Sequence, residues 1–212
     1  ARSQGFNPRP LVAFGLALPT GAESLAEYLD ATLEGERSGD HLCDLGGLGD
    51  RLSDFLPEGI DVAALSVLPG GTDSLQQEVT SCAWELEVRV AASELARRVE
   101  RLLDAPSVSV RRERKGRTFD DDLRPSVLSL ALFEPDWTPL SDDSTSWLRA
   151  ELATRPRGVR PRELVEALGT DVVLARARRT QQWIEHDGDR CEPLTTDRAR
   201  AATAPHAMER AS

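Results

Sequence analysis

Lysine is nearly missing from this sequence. Lys115 stands alone, and the other 25 of the 26 basic residues are arginine. With abundant alanine, that bias points to a GC-rich genome and says nothing about chemistry. Cysteine is also sparse. Cys43, Cys82 and Cys191 are odd in number and widely spaced, which fits neither a disulfide framework nor a zinc site. They are expected to be ordinary thiols in a reducing cytosol. No apolar run approaches the roughly 20 residues of a membrane helix. The longest, Leu11 to Leu18, is strand-sized and contains Gly15. The start has no basic region followed by a long apolar core, so no signal peptide is expected, and the predicted location is cytoplasmic with no membrane partner. Gly-x-Ser-x-Gly, P-loop and dinucleotide fingerprints are all lacking. His41, His186 and His206 have no companion at ligand spacing. No metal site and no cofactor are expected.

What is present is a sizeable apolar fraction, 40%, and an uneven charge. Residues 1–80 carry four arginines against 13 acids, a net of −9, and residues 81–212 carry 22 bases against 23 acids, a net of −1. These sum to the net charge of −10. A protein this acidic is a poor non-specific nucleic-acid binder, so any such contact must come from local basic clusters in the second half.

Leu11 to Leu18 reads as a buried strand between Pro10 and Pro19, and Glu27 to Leu33 alternates as a second strand, antiparallel to it. Leucines at spacings of three and four predict a helix over 42–56, and Val62 to Leu68 reads as a strand. Residues 69–75 form a turn-rich boundary. Beyond it, Cys82 to Val90 alternates as a half-buried strand. Ser93 is placed as the cap of a helix carrying Leu95, Val99, Leu102 and Leu103 on one side. Strands are expected from Val108, at Val127 to Phe133, at Trp147 to Leu152 and at Val172 to Ala177. Pro161 opens a short helix that Gly169 closes. Residues 134–145 read as a polar loop.

The fold class is therefore α+β. Apart from one extra strand, the second half has the element order of a ferredoxin-like split βαβ unit. The first half reads as the same unit missing its opening strand and helix, with an edge exposed for pairing. The expected domains are an incomplete unit at 1–70, a complete one at 80–180 and a disordered tail at 190–212.

Several blocks carry a family resemblance. Gly5-Phe6-Asn7-Pro8-x-Pro10 is followed by Ala17-Leu18-Pro19-x-Gly21-x-Glu23-Ser24 and by Glu27-Tyr28-Leu29. Later come Val110-x-Arg112 leading to Lys115-Gly116-Arg117, the acids Asp120, Asp121 and Asp122, then Arg124-Pro125, and the stretch Arg160 to Leu164. Together they resemble the bacterial radical-SAM-linked family over roughly residues 3–180. The resemblance implies a partner radical SAM protein, encoded beside or fused to the chain. The family pattern usually begins earlier, with a strand and a Ser-His-(Leu/Arg)-Asp segment that this sequence lacks, and it often has His at the position of Arg9. A site needing that His and Asp is incomplete here. The sequence also has no Cys-x-x-x-Cys-x-x-Cys, so it cannot itself hold a radical SAM cluster.

Two candidate sites follow. Gly5, Phe6, Asn7, Pro8 and Arg9 read either as a ligand loop, with close backbone approach, an amide and a stacking face, or as a rigid entry to the first strand. Arg111, Arg112, Arg114, Lys115 and Arg117, with Arg124 nearby, read either as a phosphate-binding hairpin tip or as a solvated face balanced by Asp120 to Asp122. Consecutive acids on a strand point to opposite sides, so a cation site there is not expected. Two further clusters, Arg155, Arg157, Arg160 and Arg162, and Arg176, Arg178 and Arg179, would add to the basic surface if all shared one face. The expected function is that of a non-catalytic accessory protein working with a radical SAM partner and binding or presenting RNA, tRNA or rRNA. The alternatives are an enzyme completed by a further N-terminal segment and a protein–protein scaffold.

Overall fold

A computed structural model describes residues 12–32, 47–68, 72–114, 116–135 and 144–194. In chain order the elements are β1 (Val12–Phe14), β2 (Glu23–Ser24), β3 (Leu29–Ala31), α1 (Leu48–Ser53), α2 (Leu75–Glu78), β4 (Val79–Arg89), α3 (Ala92–Asp104), β5 (Ser109–Arg114) and β6 (Arg117–Asp122). A 3-10 turn (Arg124–Ser126) leads to β7 (Val127–Phe133), β8 (Thr145–Ala153), α4 (Pro161–Leu168), β9 (Val173–His186) and β10 (Asp189–Cys191). The class is α+β, as the element pattern predicts.

One sheet organises these elements, in the order β10-β9-β4-β8-β7. Every neighbouring pair on that path is antiparallel. The short β2 joins β9 in parallel through Glu23 and Ser24. Alternation along β4 sets its two faces. Cys82, Trp84, Leu86 and Val88 enter the core, where they meet Leu95, Val99 and Leu102 of α3 and Leu164, Val165 and Leu168 of α4. Those helical positions recur at three and four residues, which makes one apolar stripe per helix. Glu85 and Glu87, one residue out of step, lie on the opposite face.

The two helices are clamped together by Arg98. Its Nε donates to Glu94 at 2.7 Å, and its Nη1 and Nη2 donate to Asp171 at 2.7 and 2.8 Å. Glu94 and Asp171 are both held below the usual carboxylate range, first by that hydrogen bond. Gly169 makes the approach possible: a Cβ there would stand 2.1 Å from Arg98 Nη1. At the start of α4, Pro161 supplies the preset φ and the Arg160 amide donates to Glu163 Oε2 at 2.8 Å.

Several expectations need correction. The predicted strand at Leu11 to Leu18 is cut to β1, paired antiparallel with β3 as expected. Gly15 N extends that register by one bond, to Tyr28 O at 3.1 Å, and the chain then leaves the ladder; further on, Leu25 N donates to Arg179 O at 2.8 Å. Leu16 and Leu18 then pack on the core from a loop. Val62 to Leu68 forms no strand, because the Val62 amide is taken by Ser53 Oγ at 2.8 Å and no ladder partner is present among the described residues. The predicted 42–56 helix shrinks to α1; residues 42–46 lie outside the described residues. Ser93 is inside α3, and Ala91 occupies the cap position. The single extra strand is a hairpin, β5–β6, forming its own two-stranded sheet. Most of the predicted polar loop at 134–145 lies outside the described residues; of the tail predicted at 190–212, Arg190 and Cys191 instead belong to β10, paired with β9, and residues 195–212 lie outside the described residues.

Leu86 is fully buried in the central strand. Leu86→Ala should cost about 2–5 kcal/mol by the usual large-to-small cavity effect, read as a lowered midpoint in urea with an unchanged slope.

Candidate functional site

Two polar constellations stand out. The first lies where the 15–28 segment crosses β9. Arg179 is 1% exposed, and its Nη2 donates to Leu16 O at 2.9 Å and to the Glu27 carboxylate. Its guanidinium carbon stands 5.6 Å from the Trp84 ring centroid. Gln182 is fully buried and donates through Nε2 to Ala26 O at 2.6 Å. Its Oε1 lies 2.9 Å from where a Gly15 side chain would begin, so only glycine fits there without displacing the amide. Arg179 and Gln182 thus staple the 15–28 segment across the sheet. Among the described residues, Arg179 Nε and Gln182 Oε1 have no partner.

Cys82 pairs across the ladder with Gln182. Burial pushes its thiol up to about 11, and the neighbouring Arg179 only partly opposes this. At neutral pH it is a protonated core thiol, unsuited to attack. Burial also raises the Tyr28 phenol, helped by the Glu192 charge. Among the described residues no group of three or more His, Cys, Asp or Glu side chains could hold a metal ion.

The second constellation is the β5–β6 hairpin, which turns at Gly116 (φ 70°). Its register pairs Arg112 with Phe119, Val110 with Asp121 and Arg111 with Asp120. Strand alternation then sorts the charges by face. On the inner face Arg112 is buried, 3.3 Å from Asp121 and 2.9 Å from Glu163 of α4. Arg157 lies over the Phe119 ring at 4.3 Å and reaches Asp121 at 3.3 Å. On the outer face Arg111 and Asp120 are exposed and 3.7 Å apart. Asp122 accepts from Val108 N at 2.8 Å and Arg124 N at 3.0 Å, and those two bonds hold its carboxyl below the usual range. Arg124 closes the hairpin's base. It donates to Leu103 O from Nε and Nη2, and to Val127 O from Nη1 at 3.1 Å. Leu103 belongs to the last turn of α3, so this is a cation on the carbonyl end of a helix.

The structure therefore divides the predicted basic group. Arg111 and Arg117 are exposed; Arg112 and Arg124 are engaged in holding the hairpin on the body. Arg114 ends β5 opposite Arg117. Lys115 and the Gly5, Phe6, Asn7, Pro8 and Arg9 block lie outside the described residues. The three arginine clusters do not share a face. Arg179 sits on the helix-covered side, whereas Arg176 and Arg178 meet Glu23, Glu87 and Glu85 on the other.

That other face was not anticipated from the sequence. Arg149 pairs with Glu85 at 3.1 Å and lies over Phe133 at 4.4 Å. Arg190 pairs with Glu151 at 2.9 Å and stacks on Trp183 at 4.0 Å. The period-two alternation of Glu85 and Glu87 on β4 with Arg176 and Arg178 on β9 is the signal that could have found it.

Glu27→Ala should destabilise the protein by about 3–5 kcal/mol, because it leaves the buried Arg179 guanidinium without its carboxylate. Limited proteolysis should then cut within 15–28 before the body unfolds. For Cys82, the folded state holds its proton more tightly than the unfolded chain. Stability should therefore fall as pH rises from about 9 toward about 11. Cys82→Ala should remove that part of the alkaline slope in urea titrations across this range.

A bacterial family described as an uncharacterized protein conserved in bacteria (DUF2344) matches residues 1–161. The match contains the whole β5–β6 hairpin and stops at the first residue of α4. No curated protein matches the chain. The chain belongs to this uncharacterized bacterial family.

Proposed function

We propose that this chain is a non-catalytic accessory protein that works with a radical SAM partner and binds RNA through the exposed tip of the β5–β6 hairpin. The observation that carries the RNA reading is the division of that hairpin. Arg112, Arg157 and Arg124 fix it to the body, and Arg111 and Arg117 remain exposed beside Arg114 and Lys115 in the sequence. A rigidly held basic tip suits phosphates, which position a nucleic acid without reading its sequence. The partner rests on the resemblance of the Gly5–Pro10 block, and of Val110-x-Arg112 leading to Lys115-Gly116-Arg117, to the radical-SAM-linked pattern. Any radical chemistry would belong to that partner, since this sequence has no Cys-x-x-x-Cys-x-x-Cys.

The reading also takes the path β4-α3-β7-β8-α4-β9 as a ferredoxin-like unit with the basic hairpin inserted between α3 and β7. The antiparallel order β9-β4-β8-β7 supports it. A net charge of −10 opposes nucleic acid at long range, so binding should be local, modest and strongly salt-dependent.

Filter binding against total tRNA at two salt concentrations tests the reading. Arg111→Ala combined with Arg117→Ala should weaken binding and lower the slope of log affinity against log salt by roughly 2, about one per phosphate-contacting base. Affinity no better than that of an acidic control protein would remove the RNA reading.

A further inference from the structure

Ten of the thirteen exposed large apolar side chains among the described residues lie between Val12 and Val67. The densest group is in 47–68, where Leu52, Phe55, Leu56, Ile60, Leu65 and Val67 are all exposed, Phe55 at 88%. α1 buries none of its six residues. The segment is nevertheless ordered by its own contacts. Ser53 Oγ donates to Gly49 O at 3.0 Å and accepts from Val62 N, and Gly49 lies against Val62 and Leu65. A helix this short has no stability of its own, and an apolar stripe of this size normally meets another surface.

The charge around it says what that surface is. Asp50, Asp54, Glu58 and Asp61 stand against Arg51, a net of −3 over 47–68. An acidic rim repels RNA phosphates and anionic lipid headgroups. It also repels a second copy of itself. Residues 33–46 are acidic as well, with Glu34, Glu36, Asp40 and Asp44 against Arg37. Residues 195–212 offer Met208 as their one large apolar side chain. We infer that 47–68 is a docking surface for a basic amphipathic helix of another protein, its apolar stripe on Phe55 and Ile60 and its flanking Lys or Arg on the acidic rim. This surface is separate from the hairpin, and the inference stands whether or not RNA binds.

The test uses the full chain and fluorescein-labelled synthetic helices, one of leucine and lysine and one of leucine and glutamate in the same amphipathic pattern, read by anisotropy. The Leu–Lys peptide should bind, the Leu–Glu peptide should not, and Phe55→Ser with Ile60→Ser should weaken binding at least tenfold without altering tRNA retention on filters. Exposed positions tolerate such changes, so the variant should melt within about 2 °C of the parent. A larger drop in Tm would mean that this chain covers the patch itself and would overturn the inference. So would a parent dimer that the variant dissociates, binding to phosphatidylserine vesicles that the variant loses, or equal peptide binding by parent and variant.

Discussion

A full positive charge is buried on β9, the longest strand among the described residues, and the structure is arranged around keeping it satisfied. Arg179 is placed by β9 on the helix-covered side of the sheet, where its neighbours are Ala177 along the strand and Trp84 across the ladder. An uncompensated guanidinium there would cost several kcal/mol. The 15–28 segment removes that penalty by bringing Leu16 O and the Glu27 carboxylate to it. The arrangement explains why the apolar Leu11–Leu18 run is not a long strand. Its carbonyls are needed at Arg179, and its closest approach, at Gly15, is reserved for the Gln182 amide. Glu27 keeps 44% of its side chain exposed, so the pair is buried at the cation and open at the anion, which lowers its desolvation penalty.

The β5–β6 hairpin uses the same chemistry to a different end. Its inner face is tied to α4 through Arg112 and Glu163, and Glu163 also accepts from the Arg160 amide at the helix start. The hairpin and α4 therefore share one carboxylate. Arg124 adds a third attachment at the end of α3. These contacts orient the hairpin, whose strand parity puts Arg111 on the outer face and Arg117 on the side of Arg112. Exposed pairs such as Arg111–Asp120 contribute little to stability by themselves.

Much of the second half was legible from apolar periodicity. β4, α3, β7, β8 and α4 follow it closely, because each alternates or repeats against one core. β9 was read only to Ala177, since Arg178 to Gln182 is polar; the strand continues because the 15–28 segment supplies partners for Arg179 and Gln182. That information is non-local and is absent from any window of sequence. The same reason hid β2, two residues long and paired with β9. Val62 to Leu68 failed in the opposite way, with strand-like composition and no neighbour to pair with. At the hairpin the basic residues were found, but their division was not. Strand parity was enough to separate Arg111 from Arg112; that Arg124 would face Leu103 required the chain path.

Arginine has two uses in this protein, and the near absence of lysine bears on both. A planar guanidinium can hold a carboxylate while stacking on a ring, as Arg179, Arg149, Arg157 and Arg190 do, and Arg179 also donates to a carbonyl. An ammonium at any of these four positions would lose the stacking and part of the hydrogen bonding. The open face of the sheet is thus neutralised by its own ion pairs, and the hairpin base is occupied by its own supports. Exposed charge among the described residues is mixed on the hairpin, where Arg111 faces Asp120, and acidic around the exposed apolar segment at 47–68.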